Sequence, residues 1–206
     1  MVSWQHQPIS VDQVNVNKAW SKLYWFCSDF FLTQPTPTFL IHLQQQIKAV
    51  DITALMPLMG ELSGLCECNE ELLIDYTRLF AGIKAGYGPP PPYESLYRSH
   101  YRSEEVIAAV SSAYVAAGFG SLQYPGCPPD HIGTELRFMA MLSGMLTSND
   151  QQYDQLLKIA EDFKQQHILS WIPSYCDQLK QLALTPFYQL VARMVKQLLS
   201  NMMGDR

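Results

Sequence analysis

The apolar residues along most of the chain recur at steps of three and four positions, the spacing of one face of an α-helix. Prolines, glycines and capping residues separate these stretches at short intervals. No stretch of useful length alternates apolar and polar residues, as a half-buried strand does. The nine predicted helices cover residues 12–30, 37–47, 52–65, 70–80, 104–117, 131–146, 153–163, 175–182 and 187–202. We therefore predict a single all-α domain over residues 1–206.

The sixth of these helices is apolar on nearly every side, which is typical of a helix buried in the middle of a domain. Two prolines precede it, and Asp130 follows them at the position of an N-cap. Asp130, His131 and Glu135 all fall in or next to its first turn. The pattern predicts a central helix that gathers two acids and an imidazole at its amino-terminal end.

Three stretches break the helical pattern. Residues 86–97 contain four consecutive prolines and predict a stiff, extended loop. Residues 167–173 predict a short turn before the eighth helix. Residues 118–129 are rich in glycine and proline and predict a boundary between an amino-terminal lobe (about 12–117) and a carboxyl-terminal lobe (about 130–203).

Composition narrows the class of protein. Apolar residues make up 48% of the 206 residues and charged residues 16%, so the chain is too apolar to be disordered. A formal charge of −5 argues against a nucleic-acid partner. We find no membrane-length apolar run and no secretion signal. Because the five cysteines are odd in number and irregularly spaced, we expect reduced thiols and a cytoplasmic location.

The motifs of common enzymes are missing from the sequence: it has no phosphate-binding glycine loop, no nucleophile elbow and no HExxH helix. Cys66 and Cys68 lack the second pair that a zinc site needs. His131 and Glu135 stand four positions apart on one helix face, but a third metal ligand and a nucleophile are both missing. We therefore expect no catalytic residue, no metal and no resident cofactor; these two side chains either cap the helix or anchor a ligand.

Four segments, in order, resemble the TorD/DmsD family of redox-enzyme maturation chaperones. Residues 128–139 (PPDHIGTELRFM) resemble its Pro-Asp-His signature. Residues 76–82 (YTRLFAG) resemble its aromatic–Leu–Phe–x–Gly segment, and residues 91–97 (PPYESLY) its Pro-x-Tyr-Glu-Ser-x-Tyr loop. Residues 167–173 (HILSWIP), followed by Phe187-Tyr188, resemble its carboxyl-terminal landmarks. The resemblance spans about residues 12–200.

The resemblance implies a cytoplasmic, all-helical chaperone rather than an enzyme. Members of the family bind the twin-arginine signal peptide of a molybdopterin-containing oxidoreductase, and some also bind the mature protein. They hold this precursor until its molybdenum cofactor is inserted, before export by the twin-arginine translocase. The Pro-Asp-His-Ile form is closer to the branch that serves dimethyl-sulfoxide and trimethylamine-oxide reductases than to the nitrate-reductase branch.

Matching positions imply a peptide-binding site. Its expected residues are Asp130 and His131 of the signature, the adjacent Glu135, Tyr76, Leu79 and Phe80 of the pocket-forming helix, and Tyr93, Glu94 and Ser95 of the loop. The carboxylates of Asp130, Glu94 and Glu135 could pair with the two arginines. The Leu79–Phe80 surface would take the apolar run of the peptide, and His131 would orient the loop or the peptide. Lys84 stands where some relatives carry a tryptophan shortly after the Leu–Phe pair, and a lysine that faced the groove would repel an arginine-rich peptide.

Several alternatives stay open at this point. The chaperone could serve the mature molybdoenzyme alone, without binding its signal peptide. A remote alternative is a helical nucleotide hydrolase that uses His131 and Glu135; a weak contact with guanine nucleotide or the molybdenum cofactor also stays open. Some family members exchange lobes, and the connection at residues 118–129 could act as the hinge, so the protein is either a monomer or a domain-swapped homodimer.

Overall fold

The computed structural model describes residues 9–49, 55–67, 70–80, 90–120, 122, 127–147 and 152–204. In these residues the chain forms helices and no strand, with a single isolated β-bridge between Tyr93 and His131. The helices are α1 (Val11–Leu32), α2 (Pro37–Ala49), α3 (Met56–Gly64), α4 (Glu70–Phe80), α5 (Glu94–Tyr97), α6 (Ser103–Ala116), α7 (Ile132–Met145), α8 (Tyr153–Phe163), α9 (Leu169–Leu182) and α10 (Pro186–Gly204). A π-helical turn (Lys164–Ile168) joins α8 to α9. The all-α prediction is confirmed, and none of the described helices is long and apolar enough to cross a membrane.

Helix α7 is the centre of the molecule, as its sequence predicts. Ten of its fourteen residues are buried, on all sides of the helix. Helix α1 lies along α7, and one continuous cluster of buried side chains runs from Leu23 to Met202. The two predicted lobes therefore share one core, because α1 packs on a helix of the other lobe. The lobe boundaries and domain swapping stay predictions.

Polar contacts fix α1 on α7 beside the apolar ones. The Arg137 Nε donates a hydrogen bond of 2.7 Å to the Ser28 Oγ, and the same guanidinium forms an ion pair with Asp29. It also lies over the Trp25 ring, with the Arg137 Cζ 4.2 Å from the ring centroid. An arginine that combines a hydrogen bond, an ion pair and an aromatic face constrains the relative position of two helices.

Gly133 is the point where α7 approaches α1 most tightly among the described glycines. A Cβ added there would lie 2.5 Å from the Leu32 Cγ. We expect Gly133→Ala to lower the free energy of unfolding by about 1–3 kcal/mol, because the two helices or Leu32 must shift to make room. Gly144→Ala is the control, since its Cβ would meet only the Ser21 Oγ at 3.4 Å. Denaturant unfolding of both variants measures the difference, and equal stabilities would contradict the packing argument.

The structure corrects three local predictions. Residues 94–97 of the predicted extended loop form the one-turn helix α5. His131, and not Asp130, is the N-cap of α7. Residues 167–173 form no separate turn, because the chain continues through the π turn into α9 with Pro173 inside the helix. A proline there removes one backbone hydrogen bond, and burial of the neighbouring Ile168, Trp171 and Ile172 offsets that cost.

Some sequence predictions lie outside the described residues. They are the start of the third helix at residues 52–54, Cys68, residues 81–82 at the end of the segment at residues 76–82, Lys84, residues 86–89 of the proline-rich loop, and residues 121 and 123–126 of the predicted lobe connection.

Candidate binding site at the start of the central helix

The loop before α5 is fixed to the start of α7 by backbone hydrogen bonds. The Glu94 N donates to the Asp130 O (2.9 Å), and the Ile132 N donates to the Pro92 O (2.9 Å). The Asp130 carboxylate adds a third bond, because its Oδ2 accepts from the Ser95 N at 3.0 Å. Asp130 therefore binds the first turn of α5 and joins two of the segments that carry the family resemblance.

Glu94 lies at the centre of this arrangement and is 0% exposed. Its Oε1 accepts a 2.7 Å hydrogen bond from the Arg98 Nη1, and its Oε2 lies 2.8 Å from the His167 Nδ1. The same Arg98 Nη1 donates to the backbone O of Gln166 at 3.0 Å. One buried carboxylate thus ties α5 to the π turn, and burial of this charge is tolerated because both of its oxygens have polar partners.

Glu135 is also 0% exposed, and its Oε2 accepts from the Trp171 Nε1 at 3.1 Å. Burial raises the pKa of Glu135 well above its ordinary value, and the nearby carboxylates of Glu94 and Asp130 raise it further. Such a shift favours the neutral, protonated form of the carboxyl group. The cluster therefore places Glu135, whose neutral form is favoured, beside Glu94.

His131 caps α7 through its imidazole. Its Nδ1 accepts a 3.1 Å hydrogen bond from the Gly133 N, so the ring proton is on Nε2. Burial lowers the pKa of His131 from 6.5 to about 4, which keeps the ring neutral at physiological pH. The ring also lies against Tyr93, with centroids 5.6 Å apart. His131 thus orients both the helix and Tyr93.

This depressed pKa gives the fold a sensitivity to acid. In the unfolded chain His131 is protonated as the pH falls below 6.5. In the folded protein its ring stays neutral until about pH 4. Stability contributed by the neutral ring is therefore present above pH 6.5 and is lost as pH falls through this window, by about 3 kcal/mol in total. We expect His131→Asn, which keeps a capping oxygen without titrating, to show a weaker dependence on pH.

Denaturant unfolding at several pH values between neutrality and pH 4 measures the effect of His131→Asn. His100→Asn is the matched control, because His100 is exposed and substitutions at exposed positions change stability little. If the wild-type and His131→Asn profiles had the same slope, the capping histidine would not be the source of the acid sensitivity.

Four buried polar atoms near this cluster lack a hydrogen-bond partner among the described residues: Asp130 Oδ1, Thr134 Oγ1, Glu135 Oε1 and Tyr175 Oη. Most buried polar atoms in folded proteins are paired with protein groups or with ordered water, so these four atoms are available to a water molecule or another polar group. The described residues nonetheless contain no group of three or more His, Cys, Asp or Glu side chains arranged to hold a metal ion. The cluster is thus a buried polar site with spare hydrogen-bonding capacity.

The residues of α4 that were predicted to form a pocket, Tyr76, Leu79 and Phe80, belong to a second, aromatic cluster. The Tyr76 ring contacts Phe80 (centroids 5.1 Å apart) and Tyr188 (6.4 Å), and Phe80 contacts Phe31 (5.6 Å). Leu79 is 0% exposed and Phe80 is 8% exposed, so both are core residues. Phe31 also contacts Tyr175, whose ring lies against Tyr97 and Trp171. Aromatic contacts therefore connect the two clusters.

Asp75 of α4 fixes the start of α10 beside this aromatic cluster. Its Oδ2 accepts from the Leu184 N (3.0 Å), the Thr185 N (2.8 Å) and the Thr185 Oγ1 (2.8 Å), while its Oδ1 pairs with Arg78. We expect Asp75→Asn to lower the free energy of unfolding by about 1–2 kcal/mol, because the amide keeps an acceptor but loses the charge. Thermal unfolding measures this against Glu71→Gln, an exposed acid of the same helix. A variant as stable as the control would contradict the role of Asp75.

Each cluster has one half-buried tyrosine that is partly exposed at the surface: Tyr93 beside His131 of the polar cluster and Tyr76 of the aromatic cluster. Burial raises the pKa of each, and the Cys127 thiol, close to both, raises it further. Cys127 is itself half-buried. We call Tyr76, Tyr93 and Cys127 the tyrosine face.

The structure brings most of the predicted site residues together but places few of them at the surface. Tyr76, Tyr93 and Ser95 are half-buried, and the other six are buried: Leu79, Phe80, Glu94, Asp130, His131 and Glu135. In this conformation a peptide cannot reach the three carboxylates that were expected to pair with its arginines. A role of these residues in peptide binding stays a prediction.

Sequence reasoning missed three members of the buried cluster: Arg98, His167 and Trp171. Each had a signal in the sequence. Arg98 follows Glu94 by four positions, the spacing of a helical ion pair, although the segment was expected to be extended. His167 and Trp171 belong to a segment that carries the family resemblance.

The sequence and the structure were both compared with known proteins, and both are similar to proteins of one kind. The family model of the nitrate reductase delta subunit matches residues 53–177. Chaperone protein TorD of Vibrio cholerae is 23% identical over 197 residues, which cover 87% of this chain and 88% of that protein. Chaperone protein YcdY of Escherichia coli is 24% identical over 180 residues, covering 85% and 89%.

A solved structure has the same fold. It is described as that of a candidate redox enzyme maturation protein from Archaeoglobus fulgidus, with a TM-score of 0.57 and 19% identity over 97% of this chain and 99% of that one. The relatives carry the names of chaperones, which supports a chaperone rather than an enzyme. The family model covers more than half of the chain, and the four resembling segments meet in the two clusters described above. The chain therefore belongs to the nitrate reductase delta subunit family, that of the TorD/DmsD redox-enzyme maturation chaperones.

Proposed function

We propose that the protein is a cytoplasmic chaperone for a molybdopterin-containing oxidoreductase of the dimethyl-sulfoxide or trimethylamine-oxide reductase type. It binds the twin-arginine signal peptide of this client, its apo form, or both. It holds the precursor until the molybdenum cofactor is inserted, and then releases it for export by the twin-arginine translocase. Membership of the family and the relatives named chaperones support a maturation chaperone, and the type of reductase rests on the resemblance of the Pro-Asp-His-Ile segment.

The proposal rests on the tyrosine face and on the two buried clusters that lie behind it. Tyr76 and Tyr93 come from two different segments of family resemblance and are the accessible aromatic members of the predicted site. Half-buried tyrosines offer a large apolar surface together with a hydroxyl group, which suits a peptide that carries an apolar run. The buried clusters behind them hold both rings in place, and preorganisation of this kind lowers the entropic cost of binding.

In this proposal Asp130 and His131 act by positioning rather than by touching the peptide. Asp130 holds the Ser95 N, and His131 lies against the Tyr93 ring. An arginine could pair with the Asp130 carboxylate only if the loop at residues 92–95 opened. The arginines of the peptide instead experience the negative field of a chain with a net charge of −5, which favours association without a fixed ion pair.

Calorimetric titration of the full chain with synthetic twin-arginine signal peptides tests this function. The peptides should come from the molybdoenzymes of the source organism, and a peptide of the same composition in scrambled order is the control. We expect saturable binding of one natural peptide and none of its scrambled form. If no natural peptide binds while the apo-enzyme without its signal peptide does, the protein is a chaperone of the mature enzyme alone.

A further inference from the structure

A cavity of about 410 Å³ opens between helices α1, α7 and α8. The described residues that line it include none of the residues predicted to bind the peptide, so the proposed function does not use it. Its volume falls in the range of cavities that bind small molecules, about 300–1,000 Å³. The apolar part of its lining comes mainly from Val16, Trp20, Met139, Leu146, Leu157 and Met202.

Two buried residues of the lining carry hydroxyl groups that the fold does not use. Tyr24 is 3% exposed and Ser143 is 8% exposed. Neither hydroxyl has a hydrogen-bond partner among the residues that the structure describes. Burial raises the pKa of Tyr24 and the nearby Glu161 carboxylate raises it further, so the hydroxyl end of Tyr24 lies toward Glu161, another residue of the lining. Because most buried polar groups are paired, these two hydroxyls are available to a molecule in the cavity.

The charges and amides of the lining are already paired with one another. The Lys164 Nζ lies 2.7 Å from the Glu161 Oε2, so these two charges compensate each other. The Gln13 Nε2 donates to the Asn17 Oδ1 at 3.1 Å, and the Asn17 Nδ2 donates to the Leu146 O at 2.7 Å. An ion would have to leave water without gaining a free counter-charge, which is costly. The cavity therefore favours a neutral ligand.

The shape and softness of the wall favour an aromatic ring. Trp20 is half-buried and lines the cavity, and its ring centroid lies 5.7 Å from that of Tyr24. Aromatic rings prefer to pack against other aromatic rings in offset or edge-to-face arrangements. Met139 and Met202 belong to the same lining, and methionine sulfur makes favourable contacts with aromatic rings.

The π turn between α8 and α9 provides an observation that is independent of these contacts. Helical segments of this kind are rare and occur frequently at functional sites. Lys164 is the first residue of the π turn (Lys164–Ile168) and also lines the cavity, where its side chain is 16% exposed. The regular part of α8 thus ends at this cavity.

We propose that this cavity binds a small, neutral, aromatic molecule that carries a hydroxyl, carbonyl or amide group. Its ring lies against Trp20 and the two methionines, and its polar group forms hydrogen bonds with the hydroxyls of Tyr24 and Ser143. Since a hydroxyl both donates and accepts, it can serve each of these polar groups. The site does not rest on the proposed function, and a protein that binds no signal peptide would still have it.

Nuclear magnetic resonance of the full chain, without any peptide, tests the site with three probes. Benzamide has a planar ring and an amide, toluene has the ring alone, and cyclohexanecarboxamide has the amide on a ring that is not planar. We expect benzamide to cause saturable shifts of the Trp20 indole N–H and of the Met139 and Met202 methyl groups. Its affinity should be at least about threefold higher than that of either other probe, the effect of one net hydrogen bond or ring contact.

Three results of this titration overturn the proposal. They are the absence of any shift, shifts that grow linearly with concentration, and equal affinity for benzamide and toluene. The last result would show an apolar cavity that makes no use of its hydroxyl groups.

Deletion of each hydroxyl separates its role in binding from its role in folding. Tyr24→Phe and Ser143→Ala remove groups that have no described partner, so the melting temperature should not fall. Each variant should bind benzamide about threefold more weakly and toluene as well as the wild type does. Tyr101→Phe and Ser200→Ala, which line cavities elsewhere on the surface, are the matched controls. Unchanged benzamide affinity in both cavity variants overturns the proposal.

Discussion

Replacing Glu94 by alanine is expected to lower the free energy of unfolding by about 3–5 kcal/mol. Arg98 and His167 share this carboxylate at 2.7 and 2.8 Å, and its removal leaves His167 without this partner and Arg98 with only the backbone O of Gln166. Breaking a buried ion pair by removing one partner is costly because the other charge stays buried and uncompensated. The loss should be much larger than that of an ordinary surface substitution.

Denaturant unfolding of Glu94→Ala beside Glu105→Ala measures this effect. Glu105 also pairs with an arginine, but its side chain is 53% exposed and that of Arg102 is 83% exposed. Exposed pairs of this kind contribute about 0–1 kcal/mol, and the Glu105 Oε2 also accepts a long hydrogen bond (3.4 Å) from the Arg102 N at the start of α6, so the control should lose at most about 1–2 kcal/mol. If the two variants lost the same small amount, Glu94 would not be the centre of the buried cluster.

The second large effect concerns peptide binding and separates two roles of Asp130. Asp130→Ala removes the acceptor of the Ser95 N–H and so frees the loop that carries Tyr93. We expect the affinity for the signal peptide to fall by at least about tenfold, the equivalent of 1.4 kcal/mol. Asp130→Asn keeps an oxygen that can accept this hydrogen bond, and its affinity should stay within about threefold of the wild type.

Calorimetric titration of both Asp130 variants with the same peptide makes the comparison. Asp177→Asn, at an exposed aspartate of α9, is the control for a change of net charge. A loss in Asp130→Asn as large as in Asp130→Ala would mean that the carboxylate charge itself is needed. The peptide arginine would then pair with Asp130 directly, in a conformation with the loop at residues 92–95 opened.

The fold could be predicted from the sequence because helical periodicity reports directly which face of each helix is buried. Helix α7 is the clearest case, since apolar residues on all its sides allow no position except the centre. The elements that sequence reasoning missed depend on contacts made in three dimensions. Helix α5 forms in a proline-rich stretch because Asp130, distant in sequence, accepts from its first turn. His131 caps α7 through a ring nitrogen, for which the sequence offers no general rule.

The sequence allowed us to predict which residues come together at the candidate site, but not which of their side chains are exposed. The four resembling segments named most of the residues that meet in the two clusters, yet a motif does not say which of its side chains lie outside. From the sequence we expected the Glu94 and Asp130 carboxylates to be available to a peptide. In the fold Glu94 is paired with Arg98 and His167, and Asp130 accepts from the Ser95 N–H. Cys127, whose thiol lies near both tyrosines, carried no signal in the sequence.

The most direct test of peptide binding is whether the signal peptide covers the tyrosine face. Cys127 lies near Tyr76 and Tyr93 and is half-buried, whereas Cys27, Cys66 and Cys176 are buried. The rate of Cys127 alkylation by a maleimide, resolved by site with mass spectrometry, should fall by about tenfold or more when the bound peptide is present at saturation. An unchanged rate at Cys127, under conditions in which calorimetry shows the peptide to be bound, would place the binding site elsewhere and contradict the account.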